Sequence, residues 1–115
     1  MAESRTMKYA QKIDSPDEHE EKPGKTLVTR NHDVIKQWAE QRGAKPATAT
    51  RRGGRPATLR FNFPGYGGEG LEEISWEEWL GVFDERKLNF IYQEHKADGS
   101  ESNFFRLENP EREDA

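Results

Sequence analysis

Residues 75–95, "SWEEWLGVFDERKLNFIYQEH", carry the strongest structural signal of the chain, a helix pattern that runs directly into a strand pattern. Ser75 and Glu78 have the spacing of a capping box, in which each side chain bonds the backbone N–H of the other residue. The sequence therefore predicts a helix that begins after Ser75, with Trp76 as its most exposed tryptophan. Its apolar residues share one face: Trp76, Trp79, Leu80 and Phe83.

A hairpin is predicted after this helix. In "LNFIYQEH", Leu88, Phe90 and Tyr92 fall on one face of a strand and the intervening residues on the other. The segment "KADGSES" follows, and its Asp98-Gly99 pair is a favoured hairpin dipeptide. The next segment, "NFFRLE", is predicted to be the second strand.

An earlier helix is predicted over residues 30–43, "RNHDVIKQWAEQRG". Asn31 is a favourable N-cap, and Gly43 is placed to end the helix in the left-handed conformation. The apolar residues between them form one stripe: Val34, Ile35, Trp38 and Ala39.

Residues 44–63, "AKPATATRRGGRPATLRFNF", predict another hairpin. Both ends of the segment favour strand, and "RRGGRP" between them is strong turn chemistry. We expect residues 46–52 to pair with residues 57–63 in antiparallel fashion. Pro56 is expected in the loop or at an edge, because it cannot donate to a strand ladder.

The predicted element order is α-β-β-α-β-β, and the predicted fold class is α+β, with two helices packed on antiparallel strands. The chain of 115 residues is long enough for one small domain, which we place at 25–108 between disordered tails at 1–24 and 109–115. The distance from Arg42 to Leu59 equals that from Arg86 to Asn103, which suggests a degenerate tandem αββ repeat. The alternative is a coincidence of spacing within a small α+β domain.

The amino-acid composition excludes several kinds of site and indicates where the protein is located. Hydrophobic residues make up 31% and charged residues 35% of the chain, which favours disordered tails around a small core. The absence of cysteine excludes disulfides, cysteine-based zinc sites and thiol catalysis, and it fits a reducing compartment. No apolar run approaches the length of a membrane span, and the N-terminus has no apolar core of the signal-peptide kind. We therefore expect a cytoplasmic protein.

The glycine-rich segment "PGYGGEGLEEISWEE", residues 64–78, lies between a strand and a helix, which is the outline of a phosphate-binding site. The negative charge of the segment argues against phosphate binding, because its five carboxylates would repel a phosphate. We interpret the segment as a turn that presents an acidic surface with an aromatic anchor, which is typical of protein-binding hot spots. The candidate residues of this surface are Tyr66, Glu69, Glu72, Glu73, Trp76 and Glu77.

Charge is segregated along the chain. Residues 30–60 contain eight basic and two acidic groups, a net charge of +6, whereas residues 61–108 contain four basic and eleven acidic groups, a net charge of −7. One interpretation is nucleic-acid binding through the basic hairpin turn. The other is that the basic turn neutralises the acidic helix. The candidate nucleic-acid contacts are Arg51, Arg52, Arg55 and Arg60.

The sequence predicts no catalytic constellation, no cofactor and no metal site. His19, His32 and His95 lack the helical or hairpin spacing of metal ligands, and no G-x-S-x-G nucleophile motif is present. We therefore expect a non-enzymatic binding or adaptor protein that acts through contacts with a protein partner.

Four segments resemble a family of short bacterial proteins across nearly all of residues 27–107: "RNHDVIKQWAEQRGAKPA", "LRFNFPGY", "LEEISWEEWLGVFDE" and "LNFIYQE" with "SNFFRL". Some members carry an automatic label of 1,4-alpha-glucan branching enzyme. A branching enzyme of the amylase class is built on a TIM barrel of at least ~200 residues, which this chain is too short to form. What the resemblance implies is a bacterial source and, as a further alternative, a small carbohydrate-associated accessory domain in which Tyr66, Trp76 and Trp79 stack on sugars.

Overall fold

A computed structural model describes residues 9–65 and 70–109 of the chain, and two helices and nine strands lie within those ranges. In chain order they are β1 (Gln11–Lys12), β2 (Leu27–Thr29), α1 (His32–Gln41), β3 (Lys45–Thr48), β4 (Arg51–Arg52), β5 (Arg55–Pro56), β6 (Arg60–Asn62), β7 (Glu72–Glu73), α2 (Trp76–Glu85), β8 (Asn89–Tyr92) and β9 (Phe105–Glu108). The fold class is α+β, as predicted. The chain divides into two compact units, Met1–Gln37 with Leu88–Ala115, and Trp38–Lys87.

The ends of both helices follow the predicted local chemistry. The side chain of Asn31 accepts a hydrogen bond of 3.0 Å from the Val34 backbone N–H at the start of α1, and Ser75 accepts one of 3.0 Å from Glu78 at the start of α2. Gly43 ends α1 at a φ of +68°. The backbone N–H of Gly43 bonds Glu40 and that of Ala44 bonds Ala39, which is the Schellman arrangement.

The first unit is built on a four-stranded sheet with the order β1-β2-β8-β9. β1 and β2 are parallel, whereas β2 with β8 and β8 with β9 are antiparallel. All four residues of β8 are buried, because this strand lies in the interior of the sheet. The buried apolar residues of the unit are Ile13, Leu27, Val28, Val34, Ile35, Phe90, Ile91 and Tyr92.

Residues 9–24 differ from the sequence-based expectation, which assigned residues 1–24 to a disordered tail. Gln11–Lys12 form β1, and the N–H of Ile13 bonds the Val28 carbonyl at 2.9 Å. The physical reason is burial, since the Ile13 side chain is only 1% exposed. Asn109, the first residue of the predicted C-terminal tail, lies within the described residues, whereas residues 1–8 and 110–115 lie outside them.

The β8–β9 hairpin confirms the predicted second strand pair. Its loop is closed by a bond from the Gly99 N–H to the Lys96 carbonyl, and Gly99 has a φ of +89°. The strand register changes between the Tyr92–Phe105 pair and the bridge from His95 to Glu101, which places one extra residue on the β9 side. Such a β-bulge bends its strand and changes where neighbouring side chains point.

The second unit contains a three-stranded sheet with the order β6-β3-β7 and a two-stranded ribbon, β4–β5. β3 with β6 and β4 with β5 share one antiparallel register, so together they form the hairpin predicted over residues 46–63. Its two-residue turn is Gly53-Gly54, with φ values of +61° and +80°. Two positive φ angles are what a type I′ hairpin turn requires, and glycine adopts them without strain. Pro56 lies in β5, an edge strand, as predicted.

Helix α2 supplies two of the four buried aromatic side chains that the structure describes in the second unit, Trp79 and Phe83. Trp79 is 0% exposed and is stacked on Phe61 and Phe83, with ring centroids 5.0 and 5.8 Å away. Its indole N–H bonds the Arg60 carbonyl at 3.0 Å, so the polar atom of the buried ring is satisfied. The predicted apolar face of α2 is therefore the buried one, and Trp76 at its start is partly exposed.

An antiparallel strand pair follows each helix, as predicted. Three strands were not predicted: β1 and β2, which precede α1, and β7, which pairs with β3. The compact units do not follow the two halves of the suggested repeat, because the first unit joins residues from both ends of the chain. Among the residues that the structure describes, none of the helices has the length and apolar character needed to cross a bilayer.

Candidate functional site

Arg51 connects the basic hairpin to the acidic residues of the second unit. Its Nε and Nη2 donate to the two carboxylate oxygens of Glu72, each at 2.8 Å. Its Nη1 donates to Glu78 at 2.9 Å and to the Gly54 carbonyl at 2.8 Å. Arg51 therefore joins the tip of the hairpin, strand β7 and the first turn of α2.

A second fork-shaped ion pair lies at the other end of α2. Arg55 donates two hydrogen bonds of 2.9 Å to the two carboxylate oxygens of Glu85. The bonds to these arginines lower the pKa of Glu72 and the pKa of Glu85 below the ordinary value. The bonds to Glu72 and then to Glu78 raise the pKa of Arg51. This arrangement matches the interpretation in which the basic turn neutralises the acidic helix.

Part of the candidate protein-binding surface lies in the described residues. We call Glu72, Glu73, Trp76 and Glu77 the acidic surface; Tyr66 and Glu69, which the sequence assigns to it, lie outside the described residues. Glu72, Glu73 and Glu77 are exposed, and Glu73 accepts a hydrogen bond of 3.1 Å from Asn62.

Trp76, which lies between Glu73 and Glu77 in the sequence, is partly buried and could serve as an aromatic anchor. Its ring meets those of Phe61 and Trp79 in edge contacts, with centroids 5.9 and 5.8 Å apart. One part of the ring is thereby fixed in the core, and the other part faces solvent. Trp79 is completely buried, so the stacking on sugars that the carbohydrate alternative assigned to it does not fit the structure.

The four arginines proposed to contact nucleic acid fall into two pairs. All four are exposed, but Arg51 and Arg55 are engaged with carboxylates, whereas Arg52 and Arg60 form no ion pair among the described residues. A cavity of about 330 Å³ lies beside the hairpin. Its charged lining residues are Arg52, Arg55, Glu85 and Arg86.

A cluster of two histidines and two glutamates lies in the first unit, and sequence reasoning missed it. We call His19, Glu20, Glu94 and His95 the His/Glu cluster. His19 Nδ1 lies 2.9 Å from Glu94 Oε2, and His95 Nδ1 is hydrogen bonded to Glu20 Oε2. The backbone N–H of Glu20 donates to Glu94 Oε1 at 3.0 Å.

Burial differs strongly within the His/Glu cluster. The side chain of Glu20 is 10% exposed and that of Glu94 19%, whereas His95 is 45% and His19 57% exposed. Glu20 Oε1 is buried and has no hydrogen-bond partner among the described residues. Leaving a buried polar atom without a partner costs about 1–3 kcal/mol, and more for a charged group.

The His/Glu cluster was not predicted from the sequence, because the residue pairs that form it are 75 positions apart. Two hydrogen bonds bring them together: Gly24 N–H donates to the His95 carbonyl at 3.0 Å, and the Gln93 side chain donates to the Gly24 carbonyl at 3.1 Å. The one signal in the sequence is a pair of mirrored dipeptides, His19-Glu20 and Glu94-His95. A test of ligand spacing within one helix or hairpin does not detect such a pair.

No protein-family model, no curated protein sequence and no solved structure matches this chain.

Proposed function

We propose that this chain is a non-enzymatic binding or adaptor protein of the bacterial cytoplasm that contacts a protein partner through the acidic surface. One observation carries the proposal. Arg51 bridges Glu72 and Glu78, and Glu78 shares the first turn of α2 with the partly exposed Trp76. Carboxylates held in fixed positions next to an aromatic anchor need little further ordering when a partner binds.

The charges indicate the kind of partner. Glu73 and Glu77 are exposed carboxylates, and neither is ion-paired with an arginine or lysine in the described residues. A basic patch around an apolar recess that accepts Trp76 would complement this surface. Electrostatic complementarity of this kind mainly increases the association rate and the specificity, whereas burial of the aromatic ring supplies affinity.

Crosslinking followed by pull-down with the full chain tests the proposal. We expect Trp76→Ala to weaken capture of a specific partner by about 2 kcal/mol, roughly 30-fold, as for a hot-spot aromatic residue. Glu73→Lys is expected to abolish capture at low salt, because it places a cation against a basic partner. Glu40→Lys is the matched control, since it makes the same charge change at an exposed position of α1.

The control should retain the partner that Glu73→Lys loses, and capture by the wild-type chain should decrease as salt is raised. Thermal melts of all variants separate loss of binding from loss of folding. The proposed surface is wrong if Trp76→Ala and Glu73→Lys both retain every captured partner.

Nucleic-acid binding is the second candidate function, and the exposure of Arg52 and Arg60 favours it. It ranks below protein binding because Arg51 and Arg55 already donate to carboxylates. Phosphate contacts by these two residues would require ion pairs within the protein to open.

A further inference from the structure

We propose that the His/Glu cluster is a binding site for one divalent first-row transition-metal ion, with Zn²⁺ as the best match. The ligands would be the carboxylates of Glu20 and Glu94 and the imidazole of His95, with His19 as the fourth. This inference is independent of the protein-binding proposal, because all four residues belong to the first unit.

The geometry places ligand atoms close enough for one ion. Glu20, Glu94 and His95 each offer a ligand atom, and these three atoms lie within 4.8 Å of one another. Ligand atoms of a tetrahedral zinc site are about 3.4 Å apart, so these three side chains need to close by at most about 1.4 Å. The two histidines are the side chains free to make this movement, since they are 45% and 57% exposed.

Glu20 supplies a second, independent observation. Its side chain is nine-tenths buried, and its carboxylate lies in the cluster because Oε2 is bonded to His95. The other oxygen, Oε1, is buried without a hydrogen-bond partner among the described residues. A buried carboxylate oxygen needs a cation or a donor, and a metal ion bound by this carboxylate would provide the missing charge.

The donor set selects the class of ion. Imidazole nitrogen combined with carboxylate oxygen suits zinc and its neighbours in the first transition row, whereas Mg²⁺ and Ca²⁺ prefer oxygen ligands alone. The chain contains no cysteine, so the thiolates that select copper(I) or iron–sulfur clusters are absent. The exposed edges of His19 and His95 leave a path for the ion to enter.

Metal binding would join two segments that lie 75 positions apart in the sequence. The ligands are brought together only by folding of the first unit, so the ion binds the folded chain far better than the unfolded chain. Zn²⁺ should therefore raise the melting temperature in a concentration-dependent way. The alternative is that the cluster consists of two hydrogen-bonded His–Glu pairs alone.

Titration calorimetry of the full chain with Zn²⁺, together with the visible absorption of its Co²⁺ complex, tests the site. We expect one ion per chain and the intense bands of four-coordinate Co²⁺. Glu20→Gln and His95→Ala should each lower the affinity for Zn²⁺ by more than about 100-fold, since loss of a ligand exceeds the loss of an outer-shell contact. His32→Ala, which removes the histidine outside the cluster, should bind Zn²⁺ as the wild type does.

A second measurement uses the wild-type chain and does not depend on whether a variant folds. In NMR spectra, Zn²⁺ should shift the ring signals of His19 and His95 and leave those of His32 in place. The proposal is overturned if wild-type protein shows no saturable binding at millimolar Zn²⁺, or if the His32 signals shift as much as those of the cluster. It is also overturned if Glu20→Gln, shown to be folded by circular dichroism, binds Zn²⁺ with wild-type affinity.

Discussion

Each helix is followed by a residue with a positive φ angle, but the type of residue differs between the two helices. α1 is followed by Gly43 with a φ of +68°, whereas α2 is followed by Lys87 with a φ of +55°. Glycine adopts this left-handed conformation without steric cost, but a residue with a Cβ atom is strained there by about 1–2 kcal/mol. The end of α2 is therefore a local weakness that the end of α1 does not share.

We expect Lys87→Gly to stabilise the protein by about 0.5–1 kcal/mol, measured by urea unfolding. Relief of the strain at φ +55° is partly offset by the greater freedom of glycine in the unfolded chain. Lys87→Ala is the matched control, because it removes the same charge and keeps the Cβ atom. If Lys87→Gly is no more stable than Lys87→Ala, backbone strain at this position does not limit stability.

Residue-scale features were the most predictable from sequence. The caps by Asn31 and Ser75 and the helix end at Gly43 were all predicted correctly, because each depends on a few neighbouring residues. The strain at Lys87 was not predicted, since a lysine at that position carries no local signal for a positive φ.

At the scale of elements, turn chemistry was more informative than strand propensity. Gly53-Gly54 set the register of the first hairpin, and Gly99 lies in the loop of the second, so both strand pairs were found. Strand β7 was missed because its residues are Glu72 and Glu73, which have low strand propensity. The pairing of β7 with β3 and the hydrogen bonds of Glu72 with Arg51 are long-range contacts, which no local sequence pattern predicts.

The Arg51 bridge predicts how β7 responds to acid. The hydrogen bond from Arg51 holds the pKa of Glu72 below the ordinary value of a glutamate side chain. A carboxylate whose pKa is lowered by folding contributes stability that is fully present above its ordinary pKa and is lost as the pH falls through the lowered value. The contribution of Glu72 is therefore intact at neutral pH and disappears in the acid range.

We expect Arg51→Gln to raise the pKa of Glu72 toward its ordinary value, measured by carboxyl ¹³C NMR titration. Arg52→Gln is the matched control, because it removes the same charge from the adjacent residue of β4. The control should leave the titration of Glu72 nearly unchanged. Equal shifts in the two variants would indicate general charge effects in place of the specific bridge.

At the scale of the whole molecule, sequence showed the charges but not their pairing. Opposite net charges on residues 30–60 and 61–108 were evident from composition, yet the partners of Arg51 and Arg55 lie 21 to 30 positions away. The His/Glu cluster requires still longer connections. Long-range contacts depend on the topology of the fold. The arginine–glutamate pairs and the His/Glu cluster therefore could not be predicted from the sequence and are visible only in the structure.

This pairing changes the expected binding of nucleic acid. Each phosphate contact contributes about −0.9 to the slope of log affinity against log salt for duplex DNA. Four arginine contacts would give a slope of about −3.6, whereas Arg52 and Arg60 alone would give about −1.8. Because the chain has a net charge of −4, we expect weak binding to a labelled duplex with the shallower slope.

Two double variants test that expectation by the same titration. Arg52→Ala with Arg60→Ala should abolish binding, since it removes the two candidate arginines that form no ion pair among the described residues. Arg51→Ala with Arg55→Ala should keep the slope of the wild type while lowering affinity, because Glu72 and Glu85 then lose their partners and repel phosphate. A wild-type slope near −3.6 would contradict this reasoning, since it would require both ion pairs to open when DNA binds.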